Sequence, residues 1–189
     1  MSPIPGIVAS QITGHLVTNS FESIQTVTVG AGGQSSISFT SIPSTYKHLQ
    51  VRWLGRQSGA NTGYAVNLRI NGTSSANYTY HRIRGNGSAA SASAATSQTG
   101  IEVGATSAAN STAGMFGAGI IDILDYTDTN KYKTIRSLQG TDQNSSTDSN
   151  IFFHSGFLTS STSAVSQIDL IPDGTSFVQF SSFALYGVK

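Results

Sequence analysis

The chain predicts an all-β fold: an antiparallel, jelly-roll-like β-sandwich preceded by an extended N-terminal arm. Three observations lead there. Apolar residues alternate with period two in Leu49-Gln50-Val51-Arg52-Trp53, which puts them on one face of a strand. Clusters of Gly, Asn, Asp and Pro recur at short intervals, each able to set a turn. No segment carries a helical apolar stripe, so the strands have no crossover helices and a βαβ sheet is disfavoured.

Taken in order, residues 1–20 form the arm, and residues 21–189 form the sandwich domain. Pro3 and Pro5 favour extended backbone and resist a helical start. Ile4, Ile7, Val8 and Ile12 make the arm more apolar than an ordinary polar tail, and they are the residues expected to dock on a partner. A frayed terminus is the alternative. Strands are expected over residues 21–29, 35–40, 47–56, 64–70, 78–84 and 99–103, then 115–124, 131–138, 150–159, 165–171 and 176–188. Gly30-Ala-Gly-Gly33 is expected to close a hairpin, and Pro172-Asp173-Gly174 to turn the chain before the last strand. In that last segment Val178 and Phe180 have one parity, Phe183 and Leu185 the other. A bulge near Ser181-Ser182, or burial on both faces, would account for the switch. Length and apolar content place this strand inside a sheet rather than at its edge. Residues 88–97, nearly all Ser and Ala, predict a long exposed loop.

Composition narrows function. Ten Lys and Arg stand against nine Asp and Glu, a net charge of +1, so the basic stripe that a nucleic-acid binder needs is missing. Thirty serines and 21 threonines suit turns and pleated surfaces, and carry little desolvation cost in repeated contacts. The chain has no cysteine, which excludes disulfides and thiolate metal sites. The opening residues lack the basic start and apolar core of a signal peptide, and no apolar run is long enough to span a membrane as a helix.

No motif for catalysis stands out. Asp122, Asp125 and Asp128 are the densest acidic group, but the glycine and terminal Glu of a calcium loop are absent, and turn chemistry explains them better. His15, His48, His81 and His154 are far apart and show no zinc spacing. There is no Gly-x-Ser-x-Gly elbow. Neither catalytic residue, cofactor nor metal is therefore expected. Tyr78 and Tyr80 share one strand parity beside His81 and are the candidate glycan contacts; core packing is the competing role for them and for Trp53.

Ser41-Ile-Pro-Ser-Thr-Tyr-Lys-His-Leu-Gln-Val-Arg52 with Trp53 resembles a strand of small structural proteins in tailed-bacteriophage virions. The stretch from Asp122 to Arg136, the closing Phe180-Ser-Ser-Phe-Ala-Leu-Tyr-Gly187 and the opening Ile4 to Ile12 are similar to other parts of the same group. The resemblance implies a non-enzymatic virion protein, made in the host cytoplasm without a signal peptide. It would be a capsid decoration or head-fibre subunit, anchored by its arm to the major capsid protein or another virion protein, and a homotrimer. The alternative is a tail-fibre or tail-tip module that binds a host-surface glycan. A glycan-cleaving enzyme would need converging carboxylates, and few acidic residues are present to supply them.

Overall fold

A computed structural model describes residues 20–143, 149–173 and 175–189. The arm residues Ile4, Ile7, Val8 and Ile12 lie outside the described residues. The first six strands are β1 (Phe21–Thr28), β2 (Ile37–Phe39), β3 (His48–Gly55), β4 (Gly63–Ile70), β5 (Tyr78–Gly85) and β6 (Ala90–Gln98). The second six are β7 (Ile101–Ser107), β8 (Gly117–Ile123), β9 (Ile135–Thr141), β10 (Asn150–Leu158), β11 (Ile168–Pro172) and β12 (Ser182–Val188).

They build two antiparallel sheets packed face to face. The larger has eight strands in the order β1-β12-β3-β8-β9-β10-β5-β6; the smaller has four, β2-β11-β4-β7. The chain is an all-β sandwich. Between the sheets, Leu49, Val51, Ile121, Phe183 and Leu185 of the large sheet meet Val66, Leu68, Ile101, Ile168 and Leu170 of the small one, all fully buried. The alternation read in residues 49–53 is therefore the inward parity of β3. Burying each such side chain contributes about 1.5–3 kcal/mol before entropy is charged against it. The C-terminal strand is internal, with β1 on one side and β3 on the other.

Three expectations need correction. Residues 90–98 are not a loop but a strand, β6, which pairs with β5 along its length. Ala and Ser have little strand preference of their own; pairing supplies it, and Arg82 Nε and Thr79 Oγ1 donate to Ser93 Oγ and the Ala95 carbonyl. Gly30 to Gly33 is not a hairpin, because β1 belongs to the large sheet and β2 to the small one. The turn, closed by Gly33 N–H to the Gly30 carbonyl and with Gly33 at φ 69°, carries the chain from one sheet to the other. The parity switch before β12 comes from a turn, not a bulge. Ser181 N–H bonds the Val178 carbonyl, Phe180 takes φ 72°, and β12 starts at Ser182.

Candidate interaction surface

The acidic group resolves into local turn chemistry. Asp128 Oδ1 accepts from the Asn130 amide, while Asp125 pairs with Lys47 at 2.9 Å and with Lys131. Those two lysines hold the Asp125 carboxyl down at about 2. His48 Nδ1 accepts from the Asp125 amide and so helps fix the same bend. Among the described residues no group of three or more His, Cys, Asp and Glu is placed to hold a metal.

The glycan trio is split by the pleat. Tyr78 is a core residue with no exposure; its hydroxyl accepts from the Ile70 amide at 3.0 Å and donates to the Thr73 carbonyl at 3.1 Å. It has no face to offer a sugar. Tyr80 also turns inward, where burial first and then the Glu102 carboxylate 3.1 Å away push its hydroxyl up to about 12. His81 alone points outward.

Sequence reasoning missed a buried polar group beside Tyr80, because its members come from strands far apart in the chain. His154 is fully buried, with Nε2 3.5 Å from Glu102 and Nδ1 3.5 Å from Ser137 Oγ; Arg82 closes on the same carboxylate at 2.5 Å. Burial by itself would raise the Glu102 carboxyl, but His154 and Arg82 outweigh it and keep the group below its ordinary value. Ser137 is only 2% exposed, so the cluster faces the interior of the sandwich rather than a substrate cleft.

The outer face of the large sheet is different in kind. Cross-strand register lines up Ala184, Arg52, Ile120, Leu138, Phe153, Ile83 and Ala92 in one row over neighbouring strands. Ile83 is 58% exposed and Leu138 55%. The next row reads Ser182, Leu54, Ala118, Gly140, Ile151, Gly85 and Ala90. In it the small residues Ala118, Gly140 and Gly85 alternate with the exposed Leu54 and Ile151, and a groove of about 660 Å³ is lined by Leu54, Ala118, Ile120, Leu138, Gly140 and Ile151. On the other side of the first row lies a polar row. There Gln50 Nε2 donates to Asp122 at 2.9 Å, Arg136 Nε lies 3.2 Å from Asp122, and Arg52 Nε donates to Gln50 at 2.8 Å.

A contiguous exposed apolar block of this kind is what protein contact surfaces carry, and isolated surface hydrophobes do not resemble it. The sequence held a signal for it. In β8 and β10 both parities carry large apolar residues, as in Ile120 with Ile121 and Phe152 with Phe153, the pattern of strands that are apolar on both faces. Comparison with known proteins finds no matching family model, no matching curated protein and no matching solved structure.

Proposed function

We propose that this chain is a non-enzymatic structural protein of a phage virion, a capsid decoration or head-fibre subunit that works by being held in place among other protein subunits. The observation that carries the reading is the apolar outer face of the large sheet, with Ile83, Leu138 and Ile151 more than half exposed. A surface so apolar has its use in protein contact. The virion assignment itself rests on the resemblance of residues 41–53, 122–136 and 180–187, and the apolar arm at Ile4, Ile7, Val8 and Ile12 fits an anchor to the shell.

The tail-fibre reading, with a host glycan as ligand, loses its aromatic platform once Tyr78 is counted in the core. The test is to locate the protein on purified particles by antibody-labelled electron microscopy, with full-length chain and with residues 1–19 deleted. Label spread over the head that disappears with the deletion supports the proposal. Label confined to the tail tip, or no label on particles, overturns it.

A further inference from the structure

We propose that Asn86 is a site of spontaneous covalent modification: the Gly87 backbone nitrogen displaces its side-chain amide, and the product loosens the edge strand β6. This chemistry needs no partner and holds wherever the protein works.

The sequence contains two Asn-Gly pairs, Asn71-Gly72 and Asn86-Gly87. Glycine in second place leaves its amide nitrogen open to attack a neighbour, because no Cβ stands beside it. The reaction needs that nitrogen, its proton taken by hydroxide or water, to reach the asparagine Cγ. An N–Cγ bond forms, the Cγ–Nδ2 bond breaks, and ammonia leaves behind a succinimide ring. Water then opens the ring at either carbonyl. Opening at Cγ gives aspartate. Opening at the main-chain carbonyl gives isoaspartate, in which the backbone runs through the side chain and is one methylene longer.

The fold separates the two pairs. Asn71 is clamped at both ends of its carboxamide: Nδ2 donates to the Ala164 carbonyl at 2.8 Å, and Oδ1 accepts from the Ser166 amide at 2.9 Å and the Gln167 amide at 3.3 Å. These bonds tie it to the segment before β11, so its Cγ cannot swing onto the Gly72 nitrogen without breaking them. Asn86 opens the turn between β5 and β6 and is held differently. Its Oδ1 accepts from the Ser88 amide at 3.1 Å and the Ala89 amide at 2.8 Å, while Nδ2, the leaving group, bonds to no described residue. The Ser88 bond closes a ring that contains both Cγ and the Gly87 nitrogen, which holds the reacting groups near each other. Both donors meet the oxygen that turns negative as Gly87 attacks, so the turn carries an oxyanion site for its own reaction. The Gly87 amide makes no hydrogen bond to a described residue, and a Cβ built on Gly87 would meet nothing within 4 Å.

The consequence falls on β6. That strand is the edge of the large sheet, it pairs with β5 alone, and residues 90–94 are all exposed. Its Ala and Ser side chains bury too little apolar surface to hold it by packing. Its register starts from the turn, where Asn86 N–H donates to the Ala89 carbonyl at 3.2 Å and Gly85 and Arg84 pair with Ala90 and Ser91. An extra methylene between residues 86 and 87 lengthens the turn, breaks its closing bond and frees β6 from its first residue onward.

The experiment ages the full chain at about pH 8 and 37 °C beside Asn86→Gln, whose longer side chain must close a larger, less favoured ring. Peptide masses and an isoaspartate-specific methyltransferase follow Asn86 and Asn71 in one sample. In the folded chain Asn86 should convert to aspartate and isoaspartate at least about tenfold faster than Asn71. In urea, with the Asn71 clamp gone, the two should react at similar rates. Hydrogen exchange over residues 90–98 should quicken with age in the wild type and stay constant in Asn86→Gln. No conversion at Asn86, an Asn71 that keeps pace with it in the folded chain, or a tenfold difference that persists in urea would each overturn the proposal. So would exchange over β6 that is unchanged once Asn86 has converted.

Discussion

Trp53 lies directly across from Gly119 in the pairing of β3 with β8, and its indole covers that glycine so closely that an added Cβ would sit 2.7 Å from three ring atoms. Gly104, on the facing sheet at φ 143°, approaches the same indole, with a built Cβ 3.2 Å from Cζ2. The one tryptophan of the chain is thus seated between two glycines from two sheets. It fills the core where aliphatic side chains give way to Gln139, Ser137 and His154, which are buried but polar.

Gly119→Ala should therefore destabilise although it adds a single methyl. The indole must shift within a packed interior, at a cost of about 1–3 kcal/mol. For a chain of this length that lowers the melting temperature by roughly 2–10 °C. Trp53 fluorescence reports the shift directly, since no other tryptophan contributes. An unchanged melt and emission maximum would show that the indole has room to move.

Lys133 is 1% exposed, and its ammonium donates to the Lys131 carbonyl at 2.8 Å, the Thr162 carbonyl at 2.7 Å and the Asp128 carbonyl. It ties the Asp125–Thr134 bend to the loop before β11. Lys133→Met keeps the aliphatic stem and removes all three donors. A loss of about 2–4 kcal/mol is expected, because carbonyls left unpaired lose their charge-assisted bonds. Urea denaturation should show the midpoint fall at constant slope.

Much of the sandwich was legible in the sequence, for a physical reason. Where a strand buries one face, as β3 does with Leu49, Val51 and Trp53, period-two alternation and the turn residues at its ends fix it locally. Strand β6 was not legible, because its Ala and Ser residues take their conformation from β5 rather than from any pattern of their own. The Gly30–Gly33 turn was seen as a turn, but whether it returns to the same sheet or crosses to the other depends on partners more than a hundred residues away. The outer face escaped notice similarly. Leu138 and Phe153 read as ordinary strand residues until register sets them side by side. Tyr78 and Tyr80 were rightly placed on one face, but which face looks inward is a tertiary fact.

Acid should weaken the fold through Asp125. Its carboxyl, held by Lys131 and Lys47, lies at about 2 in the folded chain against an ordinary 3.8. The unfolded chain therefore binds the proton first. The stabilisation is complete above about pH 4 and is lost as pH falls toward about 2. The site is solvent-facing, so the effect is small and shrinks with added salt. Melting temperatures of wild type and Asp125→Asn should differ at pH 6 and converge near pH 2. Parallel curves across that range would assign the acid sensitivity elsewhere.

Ser137, His154 and Glu102 invite a comparison with a hydrolytic triad, and the geometry argues against one. Both links are 3.5 Å long, beyond the 2.6–3.2 Å reach expected between nucleophile and base. The ring nitrogens are used in the opposite sense, with Nδ1 toward serine and Nε2 toward the carboxylate, whereas a triad histidine turns Nε2 to its nucleophile. Ser137 and His154 are also buried between the sheets. The folded protein should stay unlabelled by a fluorophosphonate probe. Covalent label on Ser137, abolished by Ser137→Ala, would show the sheets opening to a reactive serine and would reverse the non-enzymatic reading. The cluster's expected role is stability. Glu102→Gln keeps the shape but removes the charge facing Arg82 and His154, and should cost about 1–3 kcal/mol, moderated because Arg82 is one-third exposed. A Glu102→Gln protein that melts like wild type would leave the cluster with no structural role.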